Sequence, residues 1–303
     1  MDTRNRPKVS VCIVTYNHEK YIRGCLQSLV DQARNFLFEI VIADDCSTDN
    51  TRCIVQEYAR KYPDIIRTFF HEKNIGPAKN YVFVHEQAVG EYIAHVDGDD
   101  YALPGKLQMQ VDYLDSNPEC NIVWHRMRLL NVAKDLLVDD LIDISSLPKT
   151  RFDRGDILRF ITIGMNSSKM YRANVRDFPL PIFPVVDYFI NVEQVGSGYA
   201  AFVGTEPLGV YRVGGGVASA GNLTRIVLRD SFLYFLSKYP KHAKDIGVAA
   251  FVLFVAALKN KQWSNVRLFG SVVLKTFRLE TMSLILSSRK MVSMLKLPVD
   301  VRR

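Results

Sequence analysis

Three carboxylates fall within four residues in Val96-Asp97-Gly98-Asp99-Asp100, at the end of a run rich in apolar residues. Like charges this close repel, so they need either a cation or generous exposure to water. Hard oxygen ligands suit Mg²⁺ or Mn²⁺, and Mg²⁺ takes one or two carboxylates, with water and substrate phosphates completing its shell. For an Asp-x-Asp taken alone, a solvated acidic turn is the plainer alternative. A further carboxylate, Asp187, stands among Val185, Val186, Tyr188 and Phe189 at what reads as a helix start. Partial burial there raises its pKa and makes it a better base near neutral pH. Capping of the helix by the same side chain is the competing role, and the two are compatible.

The elements that must carry these groups alternate. Residues 9–15 are a β-branched run, apolar at nearly every position, as in a parallel strand covered on both faces. Ile22, Leu26, Leu29 and Val30 then recur at helical spacing. Residues 38–43 repeat the strand pattern and end in Asp44-Asp45. Ser47 or Thr48 can cap the next helix, with Asp49 in its first turn. A third strand is expected over 66–70, and Asn74-Ile-Gly-Pro-Ala-Lys-Asn80 leads into another helix before the Asp97 strand. Four strand–helix alternations in about 100 residues argue for a doubly wound α/β sheet. Such sheets bind ligands at strand carboxyl ends. Tyr16-Asn17, Asp44-Asp45 and the Asp97–Asp100 cluster all fall there, which favours a nucleotide and metal site over a solvated turn.

The composition, 48% hydrophobic and 23% charged, is that of an ordinary globular chain. The first strand is followed by Tyr-Asn-His-Glu, so neither a dinucleotide glycine fingerprint nor a P-loop is present. The five cysteines form no Cys-x-x-Cys pair and read as small buried hydrophobes of a reducing cytosol, without a structural zinc. The first eight residues are polar, unlike a signal peptide. The longest nearly unbroken apolar run, 246–258, is shorter than the about 20 residues that span a bilayer.

Val11-Cys-Ile-Val-Thr-Tyr-Asn17, Ile42-Ala-Asp-Asp-Cys-Ser-Thr-Asp-Asn-Thr51, the 74–80 loop and Val96-Asp-Gly-Asp-Asp100 resemble, in order, the motifs of family-2 inverting glycosyltransferases. The resemblance covers residues 8 to about 218. It implies a GT-A fold, a mixed sheet flanked by helices, and a nucleotide-diphosphate sugar donor, with UDP inherited from the family. Tyr16 then corresponds to the residue stacking on the nucleobase and Asp45 to the acceptor of its imide hydrogen, with Asp44 beside it. Lys79 faces the nucleotide, Asp97 the ribose or metal, and Asp99 with Asp100 a Mn²⁺ or Mg²⁺ on the diphosphate. Asp187 corresponds to the general base, and Ser167 and Ser168 to the strand lining the acceptor side. Arg212 contacts phosphate or pairs with a local carboxylate. A core aromatic role for Tyr16, a solvated role for Lys79 and a plain strand at Ser167-Ser168 stay open. Many members carry His after Tyr-Arg-x where this chain has Gly214, opening a triple-glycine stretch that is either a closing loop or a linker.

The chain divides into an expected catalytic domain, 1–221, and a basic helical segment, 222–303. Residues 225–303 hold 15 Lys/Arg against 4 Asp/Glu, while the rest holds 24 against 28. Leu284, Met291, Val292 and Leu295 fall on one helical face, with Arg289, Lys290 and Lys296 nearby. A basic amphipathic helix either lies on an anionic membrane or packs on the catalytic core or a second chain. The expectation is peripheral attachment to the cytoplasmic face of the cell membrane, with a glycan or lipid-linked acceptor in surface polysaccharide synthesis. A homo-oligomer is an open option, and no nucleic-acid recognition motif is present. The rival classes are a non-catalytic nucleotide-sugar-binding scaffold and a nucleotidyltransferase; UDP release against pyrophosphate release separates them.

Overall fold

In the computed structural model, which describes residues 6–213, 222–276 and 278–294, strand β1 (Val9–Thr15) lies between β2 (Phe38–Asp44) and β4 (Tyr92–Asp97), parallel to both. Successive side chains of a strand point to opposite faces, and here both faces are covered. Val9, Val11 and Ile13 of β1, Ile40 and Ile42 of β2, and Ala94 and Val96 of β4 enter one cluster. It is covered by α1 (Ile22–Val30), α2 (Thr51–Lys61) and α4 (Lys106–Ser116). Cys12, Val41, Ala43 and Ile93 enter the other cluster, beneath α3 (Pro77–Glu86), α5 (Arg154–Phe160) and α6 (Asp187–Gln194). The near-continuous apolar runs are thus the two faces of a doubly covered sheet.

β3 (Ile66–Phe70) extends the parallel part at one edge. On the other side the sheet turns mixed. β9 (Met170–Arg172) runs antiparallel to both β4 and β6 (Cys120–Asn131), and β10 (Tyr199–Val213) runs parallel to β6 with register shifts. β5 (Tyr101–Ala102), β7 (Leu136–Asp139) and β8 (Arg151–Phe152) are short additions, giving the order β3-β2-β1-β4-β9-β6-β10-β5.

Helices α7 (Asn222–Lys238), α8 (Ala243–Lys259), α9 (Trp263–Thr276) and α10 (Leu279–Met294) follow. They do not stand apart: Phe232, Phe235, Ile246, Ala249, Phe269 and Met291 belong to the same cluster as Trp124 and Phe189. The run 246–258 is the middle of α8, buried at Ile246 and Ala250 and reaching solvent at Leu258. On α10, Met291 packs inward at 2% exposure, with Leu284 and Val292 half-buried. The apolar face expected to meet a membrane is therefore largely used in packing, because α8 offers it an apolar partner. Leu295 and Lys296 lie outside the described residues, as does the Gly214 stretch.

Three local expectations differ. α2 starts at Thr51 with Asn50 in the cap position and no side-chain cap, because Asp49 already accepts the Thr51 amide and the Ser47 hydroxyl turns to Asp44. Residues 164–172 are strand only over Met170–Arg172; Asn166–Ser168 is a 3₁₀ turn. Of the cysteines, Cys12, Cys25 and Cys120 are buried, but Cys53 is exposed and Cys46 half-exposed.

Candidate active site

Strand register places the polar termini on one rim. Thr15 pairs with Asp44 across β1 and β2, and Val14 with Asp97 across β1 and β4. The Asp45 amide donates to Thr15 O at 2.9 Å and the Gly98 amide to Val14 O at 2.9 Å. Asp45 and Asp97 thus stand roughly 10 Å apart, two inter-strand spacings.

Tyr16 is 43% exposed, so its ring is available to a ligand. Asn17 takes a left-handed φ of 55° and its side chain accepts from the Thr48 amide at 2.8 Å, which fastens the first loop to the second. Asp45 is buried, and its two oxygens accept from the Ile75 and Gly76 amides at 2.7 and 2.9 Å. It therefore fixes the loop ahead of α3, and Lys79 is exposed in the first turn of that helix. Asp44 is fully buried, paired with Arg52 Nε at 2.5 Å and bonded to Ser47.

The acidic cluster is unequal in its surroundings. Asp97 is half-buried; its Oδ1 meets His95 Nε2 at 3.1 Å and its Oδ2 accepts from the Ser167 hydroxyl at 3.2 Å. Burial pushes its carboxyl up, but His95 and the Ser167 hydroxyl outweigh that and hold it below the ordinary value. Burial and the neighbouring Asp97 charge push Asp99 up, and raise Asp100 well above the usual range. Asp100 Oδ1 accepts from the Arg212 amide at 2.9 Å, while its buried Oδ2 makes no hydrogen bond of ordinary geometry among the described residues. The Arg212 guanidinium donates to the Asp99 carbonyl and lies 4.6 Å from the Tyr21 ring centre. Its partners are thus main chain and aromatic rings.

Asp187 is the first residue of α6, with Val186 in the cap position, and among the described residues its Oδ1 accepts the adjacent Tyr188 amide alone, at 2.9 Å. Burial raises its pKa, opposed by that amide and by the Lys169 charge, and reinforced by Asp97. Tyr211 on β10 feels all four groups: besides burial, Asp100, Asp97, Asp99 and Asp187 push its phenol upward. The acidic cluster and Asp187 therefore converge, although 87 residues separate Asp100 from Asp187 in the chain.

Ser167 and Ser168 sit beneath this rim. Both are buried; Ser167 also accepts the Asp97 amide at 3.0 Å, and the Ser168 hydroxyl donates to Met165 O at 2.7 Å. Both hydroxyls are bonded inside the protein, Ser167 to Asp97 and Ser168 to its own turn. Two depressions on the surface, one lined by Gln56, Ala59, Arg60 and Pro63 and one by Val248, Val252, Ile285 and Ser288, lie away from these carboxylates.

Sequence reasoning missed the groups under the rim. Tyr171 Oη lies 2.7 Å from His85 Nδ1, His85 Nε2 lies 3.0 Å from His95 Nδ1, and His95 Nε2 meets Asp97. Burial lowers both histidine pKa values, so each ring is neutral with one donor and one acceptor nitrogen. An ionised Asp97 can only accept, so the tautomers follow: Tyr171 donates to His85, His85 to His95, His95 to Asp97. The signal was His95 and Asp97 two apart on one strand, hence on one face. Lys106 and Lys169 are buried too, pulled down by burial to about 8 and about 7 respectively. No pattern in the chain marks them.

Comparison with known proteins agrees with this geometry. The Glycosyl transferase family 2 pattern matches residues 10–175, and the chain belongs to that family. An uncharacterised protein of Mycobacterium tuberculosis is 35% identical over 212 residues, 67% of this chain and 58% of its own length. The chain thus spans little more than half of that relative. TarS of Staphylococcus aureus, a poly(ribitol-phosphate) β-N-acetylglucosaminyltransferase, is 38% identical over 111 residues, 36% of this chain and 19% of TarS. The structure of TarS 1-349 with UDP-GlcNAc matches with a TM-score of 0.71 at 19% identity, over 97% of this chain and 89% of that one. The mannosyltransferase PcManGT of Pyrobaculum calidifontis, in complex with GDP-Man and Mn²⁺, gives 0.53 at 17% identity, over 95% and 86%. The fold is GT-A, a mixed sheet flanked by helices with further helices at the C-terminal end.

Proposed function

We propose that this chain transfers a sugar from a nucleoside-diphosphate donor, UDP-linked in the first instance, to a hydroxyl of a glycan or lipid-linked acceptor in cell-surface polysaccharide synthesis, with inversion at the anomeric carbon. The observation that carries this is the acidic turn at the carboxyl ends of the strands: Asp97 closes β4 beside β1 and bonds Ser167, Arg212 of β10 bonds Asp99 and Asp100, and Lys169, two residues after Ser167, bonds Asn191 of the helix that Asp187 opens. Family membership and the UDP-GlcNAc and wall-polymer chemistry in the description of TarS support the donor and acceptor classes.

In this reading Tyr16 stacks on the nucleobase. Asp45 orders the 75–76 loop and takes the imide hydrogen, and Lys79 approaches the phosphates from α3. Asp97, held in place by His95 and Ser167, meets the ribose. Arg212 braces the acidic turn through the Asp99 carbonyl. Asp99 and Asp100 would hold Mn²⁺ or Mg²⁺. The oxygen donors fit such a cation: Asp99 is partly open, and Asp100 has one oxygen without an ordinary partner. Among the described residues no three His, Cys, Asp or Glu side chains are grouped to hold a metal by themselves, so donor oxygens and water must complete the shell. When bound, the cation offsets charge developing on the departing diphosphate.

Asp187 takes the proton of the attacking hydroxyl. Its burial and single amide partner leave it basic enough to do so. Direct attack by that hydroxyl inverts the anomeric centre, and no carboxylate nucleophile is required. UDP release from a panel of UDP-sugars with Mn²⁺ tests the reading. Asp187→Asn should lower turnover by at least about a hundredfold while UDP affinity is unchanged; full activity would remove the base assignment. Peripheral attachment to an anionic membrane on its cytoplasmic side belongs to the same proposal. It is supported by the basic C-terminal region and by exposed Trp263, Leu274 and Leu286. No described helix is long and apolar enough to cross a membrane.

A further inference from the structure

We propose that Lys169 is a positioning residue for the acceptor half of the reaction: its buried head group ties α6 to α3 and, when protonated, presents a positive charge to Asp187 and Asp97. The inference rests on the reading of Asp187 as the base. Lys169 follows the 166–168 turn directly and is fully buried. Its Nζ donates to Tyr81 Oη of α3 at 2.8 Å, and to Asn191 Oδ1 and Gln194 Oε1 of α6 at 3.1 and 3.4 Å. Three N–H groups meet three acceptors, so the head group has one orientation. All three partners are neutral.

A buried ammonium without a carboxylate in contact is costly, and a neutral side chain would join the two helices more cheaply. What a neutral side chain lacks is charge. The carboxylates that act on Lys169 are Asp187 and Asp97, both at the rim. The other ionisable groups around it are uncharged near neutral pH: Tyr81 and His85 from α3, His95 from β4 and Tyr171 from β9. The Tyr81 and Tyr171 rings lie 5.3 and 5.5 Å from Nζ, a further electrostatic stabilisation of a cation. Lys106 of α4 adds its field at His95 and donates to Ser167 O. The protonated Lys169 therefore opposes two effects that raise the Asp187 pKa, burial and the Asp97 charge. It touches no atom of either substrate; it acts through α6, which carries Asp187 at its first position.

The test compares Lys169→Met, Lys169→Gln and Lys169→Arg in the full chain. The rate of UDP release is followed across pH with whichever UDP-sugar the panel turns over, alongside calorimetry of UDP binding. In the Met and Gln variants the acid limb of the profile should move up by about one pH unit. Turnover at the wild-type midpoint should fall, with UDP affinity within about twofold of wild type, since the Lys169 head group hydrogen-bonds Tyr81, Asn191 and Gln194 and none of Tyr16, Asp45, Lys79 or Asp97. The Arg variant should keep the limb in place. An unmoved limb in folded neutral variants, or UDP affinity falling in step with turnover, would overturn the inference. So would neutral variants that both fail to fold while Arg folds, because Lys169 would then serve packing alone. Asp187→Asn separates the two readings: if it is inactive and the limb does not move, only the role of Lys169 fails; if it is fully active, the base assignment itself fails.

Discussion

Gly98, set between two carboxylates, has room for a hydrogen and little else. A Cβ there would lie 2.8 Å from Thr15 Oγ1 and 2.9 Å from His18 Nδ1. Gly98→Ala should therefore drive the acidic turn and the first loop apart and weaken UDP binding about tenfold or more, a loss of at least about 1.4 kcal/mol. Circular dichroism should still report a folded chain, and unchanged UDP affinity would remove this close approach from the account. The acids were legible in the chain because they are contiguous and follow an apolar run. Asp44 was not separable from Asp45 there, since only the fold shows one turned to Arg52 and the other to the loop amides. Lys169 lies in a stretch of small polar residues, and burial of a cation among such neighbours follows from which elements close over it.

At the scale of elements, β1, β2 and β4 present their ends together because parallel strands share polarity, and that much followed from alternation alone. The second half was less legible. β9 is three residues long, β5 is two, and β10 pairs with β6 across register shifts, so no periodicity announces them. Buried histidines on α3 and β6 carry a pH dependence. Burial holds His85 and His125 well below their ordinary value of 6.5 in the folded chain. Above that value both states leave these rings neutral and stability is unaffected. Below it the unfolded chain takes up protons that the folded chain refuses, so stability falls as pH falls, by at most about 1.4 kcal/mol per pH unit for each ring. Urea midpoints measured from pH 7 downward should decline in wild type and decline less steeply in His125→Gln. Equal slopes would contradict the burial argument.

For the whole molecule, the C-terminal helices complete the cluster that also holds Trp124 and Phe189, so the basic region is built onto the catalytic sheet. The expected amphipathic face on α10 is buried at Met291 and half-buried at Leu284 and Val292, the packing alternative that the sequence left open, because a helical pattern shows that a face must be covered and not by what. Other apolar side chains are exposed, Trp263 and Leu274 on α9 and Leu286 on α10, and so are Arg267, Lys275 and Arg289 of the same helices. Sedimentation with phosphatidylglycerol vesicles should carry the chain down at low salt, and Trp263→Ser with Leu274→Ser should reduce that binding. A chain that stays entirely in the supernatant would rule out membrane attachment.

Crystallography of the chain with UDP and Mn²⁺, with anomalous data locating the ion, bears most directly on the carboxylate rim as a sugar-nucleotide site. The expected result is uracil against the Tyr16 ring and a manganese peak within coordination distance of an Asp99 or Asp100 oxygen. UDP bound away from the ends of β1, β2 and β4, or held there with the ion remote from both carboxylates, would contradict it.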